Sequence, residues 1–282
     1  ISKALALAEY ACSLGIDAVI VQDLGLASLL RERAPTLALH ASTQMSIHTP
    51  QGVLAAKELG FQRVVLAREL SREETAEILA TAGECGMETE LFVHGALCMS
   101  VSGQCLMSAL LGSRSANRGR CAGPCRLPFT VPRSSGYDLS LKDLSLLTAL
   151  AKGELEGITS LKIEGRMKRP EYVAAAVHAV RLAAAGQEPG EEFLALLRDI
   201  FSRTGFTDGY WKSQRGKEMF GRRSEEDAEA ARYAIPRLHE LYRREFPRVE
   251  VELSLSAQPG REAQLTVSDG EHTVCKTAPA EA

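Results

Sequence analysis

The chain has 282 residues, of which 45% are hydrophobic and 24% charged, with 33 Lys and Arg against 36 Asp and Glu. That length is enough for one large α/β domain or a domain with an appendage, and the composition lies in the ordinary soluble range. No apolar run approaches the roughly 20 residues of a membrane span, and no charged start, apolar core and small-residue cleavage site marks export, so a cytoplasmic protein without membrane contact is expected.

The opening stretch from Ile1 already has helical periodicity, so the natural start is expected to precede it. Short β-rich runs then alternate with amphipathic helices. Strands are predicted at 17–21, 36–39, 63–66, 89–93, 137–141 and 159–163, and helices at 25–33, 50–59, 71–82, 144–150 and 170–185. Ser71 followed by Glu74 spells a capping box, and Pro50 and Pro170 suit first-turn positions. Such alternation implies parallel strands joined by right-handed crossovers. No GlyXGlyXXGly turn follows any strand, so the pattern fits a partial TIM-type β/α barrel lacking its first strands better than an open Rossmann sheet. The expected division is a barrel portion over 1–189, a helical and basic/aromatic loop extension over 190–246, and the start of a β-rich domain over 247–282.

Four of the seven cysteines, Cys98, Cys105, Cys121 and Cys125, fall within 28 consecutive residues, in a segment (95–133) rich in glycine, serine and arginine. Between Gly103 and Arg133 there are five arginines and no acid. Soft thiolates gathered from one loop suit an iron-sulfur cluster or zinc, and clustered cysteines in a reducing compartment favour metal over cross-links. The gaps of six, fifteen and three residues match neither paired zinc ligands nor ferredoxin spacings, so spacing alone does not choose between the two. Cys12, Cys85 and Cys275 read as single packed thiols.

A barrel places its working groups just past the carboxyl ends of strands. The candidates there are Gln22 with Asp23, His40 with Ser42, Thr43 and Gln44, Arg68 with Glu69, His94, Lys142 with Asp143, and Glu164 with Arg166. Taken singly, each is explained by a strand end turning polar as it leaves the core. Together they suit an anionic substrate, because Arg68, Lys142 and Arg166 could hold carboxylate or phosphate on the face that carries the cysteines.

A helix is predicted over 191–202, followed by a glycine-punctuated loop from Phe201 to Trp211 and a charged helix ending near Arg244. Arg203, Lys212, Arg215, Lys217, Arg222 and Arg223 surround Phe206, Tyr210 and Trp211, a mixture that either grips single-stranded nucleic acid or pins the loop to the domain. Beyond Pro247, strands are predicted at 249–256, 263–267 and 273–276, with Asp269-Gly270 as a hairpin turn.

The segments ELFVHGALCMSVSGQCLMS (90–108), NRGRCAGPCR (117–126), STQ (42–44), RELS (68–71), SLKDL (140–144) and KIEGRMKRPEY (162–172) closely resemble the signature of peptidase family U32, the collagenase-like proteins. The resemblance implies a barrel fold, and it implies oxygen-independent hydroxylation of tRNA or rRNA. It further implies a cysteine-bound iron-sulfur cluster, expected as 4Fe-4S on Cys98, Cys105, Cys121 and Cys125, and prephenate as oxygen source. Arg68, Lys142, Arg166, Gln44 and Gln22 are then candidate substrate-binding residues, and Glu164, Asp143 and His94 candidate acid-base or catalytic groups. Neither HisGluXXHis nor GlyXSerXGly is present, so a peptidase would need a thiol such as Cys98 beside a histidine such as His94. A zinc-stabilised RNA-binding module is the non-enzymatic alternative.

Overall fold

Local sequence fixes most helix starts. The computed structural model describes residues 2–129, 132–133, 136–165, 168–243, 249–258 and 261–279. Helix α1 (Ser2–Ser13) leads into strand β1 (Ala18–Val21), and α2 (Leu24–Arg33) starts where the Asp23 side chain accepts from the Leu26 N–H at 2.7 Å. Strand β2 (Ala38–Ala41) is followed by α3 (Pro50–Glu58), with Pro50 in its first turn and Thr49 as its cap. Strand β3 (Arg63–Val65) precedes α4 (Arg72–Cys85). There Ser71 Oγ accepts from the Glu74 N–H at 3.2 Å, while the Glu74 carboxylate accepts from the Ser71 N–H at 2.7 Å. Two of the four orphan amides of that helix end are thereby satisfied.

Strand β4 (Glu88–Ala96) is the longest and organises the sheet. It pairs in parallel with β3 on residues 88–90 and with β6 (Ser160–Glu164) on residues 90–95, with a register shift between Phe92 and His94. β1, β2 and β3 continue the parallel series. Leu39, Val64, Val65 and Leu66 are fully buried, as expected for strands covered on both faces. Each such side chain contributes about 1.5–3 kcal/mol through the water it leaves. On α7 (Pro170–Ala184), Tyr172, Ala175, Ala176, Ala179 and Ala183 recur at helical spacing and are buried, and the small side chains let the helix lie close against its neighbours.

The predicted strand at 137–141 does not form. Leu141 makes an isolated bridge to Phe220, and the strand β5 falls later, at Asp143–Ser145, antiparallel to the end of β4. The helix expected from Leu144 accordingly begins at α6 (Leu147–Ala151). Ser140, Leu141, Asp143, Leu144, Leu146 and Leu147 are all buried, so both sides of this segment are covered and no alternation announces its pairing. Two further elements, α8 (Glu191–Ile200) and the two-residue β7 (Phe206–Thr207), follow, and β7 extends β5 in parallel. Strand order is β1-β2-β3-β4-β5-β7, with β6 on β4; among the described residues no ladder joins β1 to β6 or β7. The architecture is a mixed α/β sheet, largely parallel, with helices.

The chain divides into two compact units, Ile1–Leu241 and Tyr242–Ala282. Helices α8 and α9 (Glu225–His239) therefore belong to the sheet-bearing unit, and their Leu197, Ile200, Ala234 and Leu238 join its core. The second unit is an antiparallel sheet of β8 (Glu252–Ser256), β9 (Ala263–Ser268) and β10 (Thr273–Ala278). Its turn forms where expected, with the Glu271 and His272 amides donating to Asp269 Oδ1 at 2.9 and 2.6 Å. Among the described residues no helix is long and apolar enough to cross a membrane.

Candidate site at the neck of the cysteine loop

Because β4 and β5 run antiparallel, with Ala96 opposite Asp143, the two ends of the cysteine loop lie side by side. Arg126 clasps them. One guanidinium nitrogen donates to the Leu97 carbonyl and another to the Leu141 carbonyl at 2.6 Å. Leu97 precedes Cys98 and Arg126 follows Cys125, so this clasp draws two cysteines toward the same neck. Cys98 is half-buried, and burial is the main cause pushing its thiol up; the Cys125 and Cys105 thiols push the same way, against the Ser100 amide and Arg68. All seven cysteines are free, and Cys121 is exposed, its sulfur accepting from the Gly123 N–H at 3.3 Å. Among the described residues no three Cys, His, Asp or Glu side chains are gathered closely enough to hold a metal ion. The donor chemistry fits a thiophilic centre: soft sulfurs share one loop, and a bound cation would reverse the burial that keeps Cys98 protonated.

Beside the neck stands a cluster that sequence reading did not assemble. Asp143 is 1% exposed and its Oδ1 takes the Arg203 guanidinium at 2.7 Å, while Oδ2 is buried without a partner among the described residues. Arg126, Lys168 and Arg223 also feel this carboxylate. Burial first, then the neighbouring arginines, hold the Lys168 ammonium down to about 7. Burial and Arg203 lower Arg126 as well. Four cations thus surround one shared acid, a field that favours an anion. The sequence placed Arg203 among the basic residues around Phe206, Tyr210 and Trp211; its side chain is 14% exposed and turned onto Asp143. Phe206 packs on His94 at 4.9 Å between ring centroids, and Trp211 is buried with its Nε1–H donating to Glu154 at 3.1 Å. Trp211 thus anchors the loop to the unit, and half-buried Phe206 packs on His94, as the pinning reading of that segment expects.

The remaining candidates are distributed as follows. Arg68 donates to the Ala96 carbonyl at 3.0 Å, pairs with Glu164 at 3.3 Å and lies 3.9 Å from the Phe92 ring centroid, with its Nε buried and unpartnered. Gln44 meets the cysteine loop directly, its carbonyl accepting from the Gln104 amide. Gly95 is required between these groups: at φ +113° any Cβ would lie 2.4 Å from the Glu164 carbonyl oxygen. His94 is buried between Tyr172 and Phe206, neither ring nitrogen has a partner, and burial lowers its pKa to about 4. It makes no hydrogen bond to Cys98. Lys142 is half-buried next to Gly221, and Gln22, half-buried past β1, has no hydrogen bond to the cluster among the described residues. Arg166 lies outside the described residues.

The neck of this α/β unit thus brings the cations Arg126 and Arg203 and the buried carboxylate of Asp143 beside the two ends of the cysteine loop. The chain belongs to peptidase family U32, whose model matches residues 1–221. It is 42% identical over 166 residues to the 23S rRNA 5-hydroxycytidine C2501 synthase of Escherichia coli, covering 56% of this chain and 24% of that protein. It is 37% identical over 191 residues to tRNA hydroxylation protein P1 of Bacillus subtilis, covering 62% and 44%. A collagenase of Porphyromonas gingivalis is 34% identical over 224 residues, covering 71% and 53%. The chain therefore spans between a quarter and about half of the length of these relatives.

Proposed function

We propose that this chain carries the working site of a cytoplasmic RNA-modifying enzyme that hydroxylates a tRNA or rRNA base without molecular oxygen. In this reading the sheet is part of a β/α barrel, and Cys98, Cys105, Cys121 and Cys125 hold an iron-sulfur centre of the 4Fe-4S type. A small carboxylate such as prephenate serves as oxygen source. The observation that carries the reading is the meeting, at one neck, of two clasped cysteines and four cations around a single carboxylate. The names of the two RNA-hydroxylating relatives support it.

When bound, the iron-sulfur centre supplies electron transfer and Lewis acidity. The chain supplies the rest. Arg126 holds the two ends of the loop that carries Cys98 and Cys125, Arg68 is the cation offered to a donor carboxylate, and Lys142 and Arg166 are the further sequence candidates for that role. Asp143 Oδ2, which has no partner among the described residues, is the oxygen placed to accept a proton, with Glu164 as the second carboxylate.

Anaerobic purification followed by a visible spectrum and an iron count tests the centre. The expected result is a brown chromophore lost in Cys121→Ala; bound zinc without colour would replace the cluster by the zinc-stabilised module. Nucleoside mass spectrometry on a deletion strain tests the reaction, with hydroxylated base restored by the wild-type gene and not by Cys98→Ala. The collagenase relative favours a second reading, a peptidase. Gelatin cleavage abolished by both Cys98→Ala and His94→Ala would establish it, although neither ring nitrogen of His94 has a hydrogen-bond partner.

A further inference from the structure

A cavity of 370 Å³ lies among the residues leading into α7, the end of α8 and helix α9. Its described lining holds four cationic side chains, Lys168, Arg169, Arg223 and Arg232, and no carboxylate. The rest of the wall is mostly apolar, from Phe201, Ile235 and the ring of Tyr172 among others. Arg169 has an acidic partner, Glu171 at 3.4 Å. The others have no carboxylate at ion-pair distance among the described residues. Arg223 Nη1 is buried with no partner among the described residues, its Nη2 donates to the Asp227 carbonyl at 3.2 Å, and its guanidinium lies 4.6 Å from the Phe201 ring centroid. The Lys168 ammonium sits against the same ring.

Gathering four cations, with one of them, Arg169, in an ion pair and Asp143 as the other nearby acid, leaves net repulsion. An anion in the cavity offsets it. Inorganic phosphate would satisfy the charge and leave the apolar wall bare, whereas the volume suits a small organic ligand. We propose that this cavity binds a small organic anion, a carboxylate on a ring-sized apolar body, with the carboxylate on Arg223 and Lys168 and the body against Phe201, Tyr172 and Ile235. The cavity shares Lys168 and Arg223 with the cations around Asp143 but contains no cysteine, Arg68 or Lys142, so the inference concerns binding alone and stands whichever reaction the neck performs.

Calorimetric titration of the chain with benzoate tests it, with benzyl alcohol and inorganic phosphate as comparators. Benzoate is expected to bind more tightly than either. Arg223→Gln and the exposed Arg232→Gln should each weaken it about tenfold, while Arg222→Gln leaves it unchanged. No benzoate binding, benzyl alcohol or phosphate binding as tightly as benzoate, or unaltered affinity in both well-folded variants would each overturn the proposal. The assay requires neither RNA nor turnover, so it succeeds or fails separately from the hydroxylation reading.

Discussion

Asp143 and Arg203 form a nearly dry ion pair, 1% and 14% exposed at 2.7 Å. Removing one partner strands a buried charge, which costs on the order of 3–5 kcal/mol. Arg203→Met is therefore expected to lower urea-unfolding stability by about that amount, and adding Asp143→Asn should recover part of it. A loss below about 1 kcal/mol would show the pair to be solvated. His94 makes a separate prediction. Its folded pKa of about 4 lies below the ordinary histidine value of 6.5, so between those values the unfolded chain binds the extra proton. Stability is full above pH 6.5 and falls as the pH drops toward 4, by an amount on the order of 3 kcal/mol. Unfolding of His94→Leu measured at several pH values should lack this contribution; an unchanged acid limb would refute it. At this scale the sequence disclosed residue types more readily than partners. The cysteines and Arg68 were legible by position, but Arg203 meets a carboxylate 60 residues away, and nothing local marks such a pairing.

Among the elements, β4 is the one on which others depend, since β3, β5 and β6 all pair with it. At Gly95 it lies against Glu164 of β6 with no room for a Cβ. Gly95→Ala forces a Cβ against backbone at a positive φ, and a loss of about 3 kcal/mol or failure to fold is expected, read by thermal unfolding. A near-native melting temperature would mean that β6 can move aside. At the other end of the range, Ser71→Ala removes one half of the α4 capping box and should cost about 1 kcal/mol in the same assay. Caps of this kind, together with periodic apolar faces, made α2, α3, α4, α7 and α8 readable from sequence. Strand β5 was misplaced because its register comes from β4, across the whole cysteine loop, and its buried flanks carry no alternation.

Over the whole molecule, a formal charge of -3 conceals a local imbalance at the neck, where Arg126, Arg203, Lys168 and Arg223 lie near the single buried carboxylate of Asp143. Contact with RNA phosphates by such a cluster would weaken steeply as salt rises. The division at Leu241 was less legible than the strands beyond it. Composition shifts gradually through 190–246, whereas the assignment of α8 and α9 to the first unit rests on Leu197, Ile200, Ala234 and Leu238 entering one core, which only packing reveals.

The side-by-side arrangement of Ala96 and Asp143 makes residues 97–142 a detachable appendix in thermodynamic terms. A ladder that already holds the stem shut makes the entropy of closing the ring depend only weakly on ring length. Selection could therefore lengthen, shorten or re-equip this appendix with little effect on the scaffold beneath. A chimera in which a short glycine-serine bridge replaces it should keep helical circular dichroism and cooperative melting while losing every property that depends on Cys98 and Cys125. Collapse of the whole fold on excision would instead show that the clasp by Arg126 supports the sheet as well as the loop.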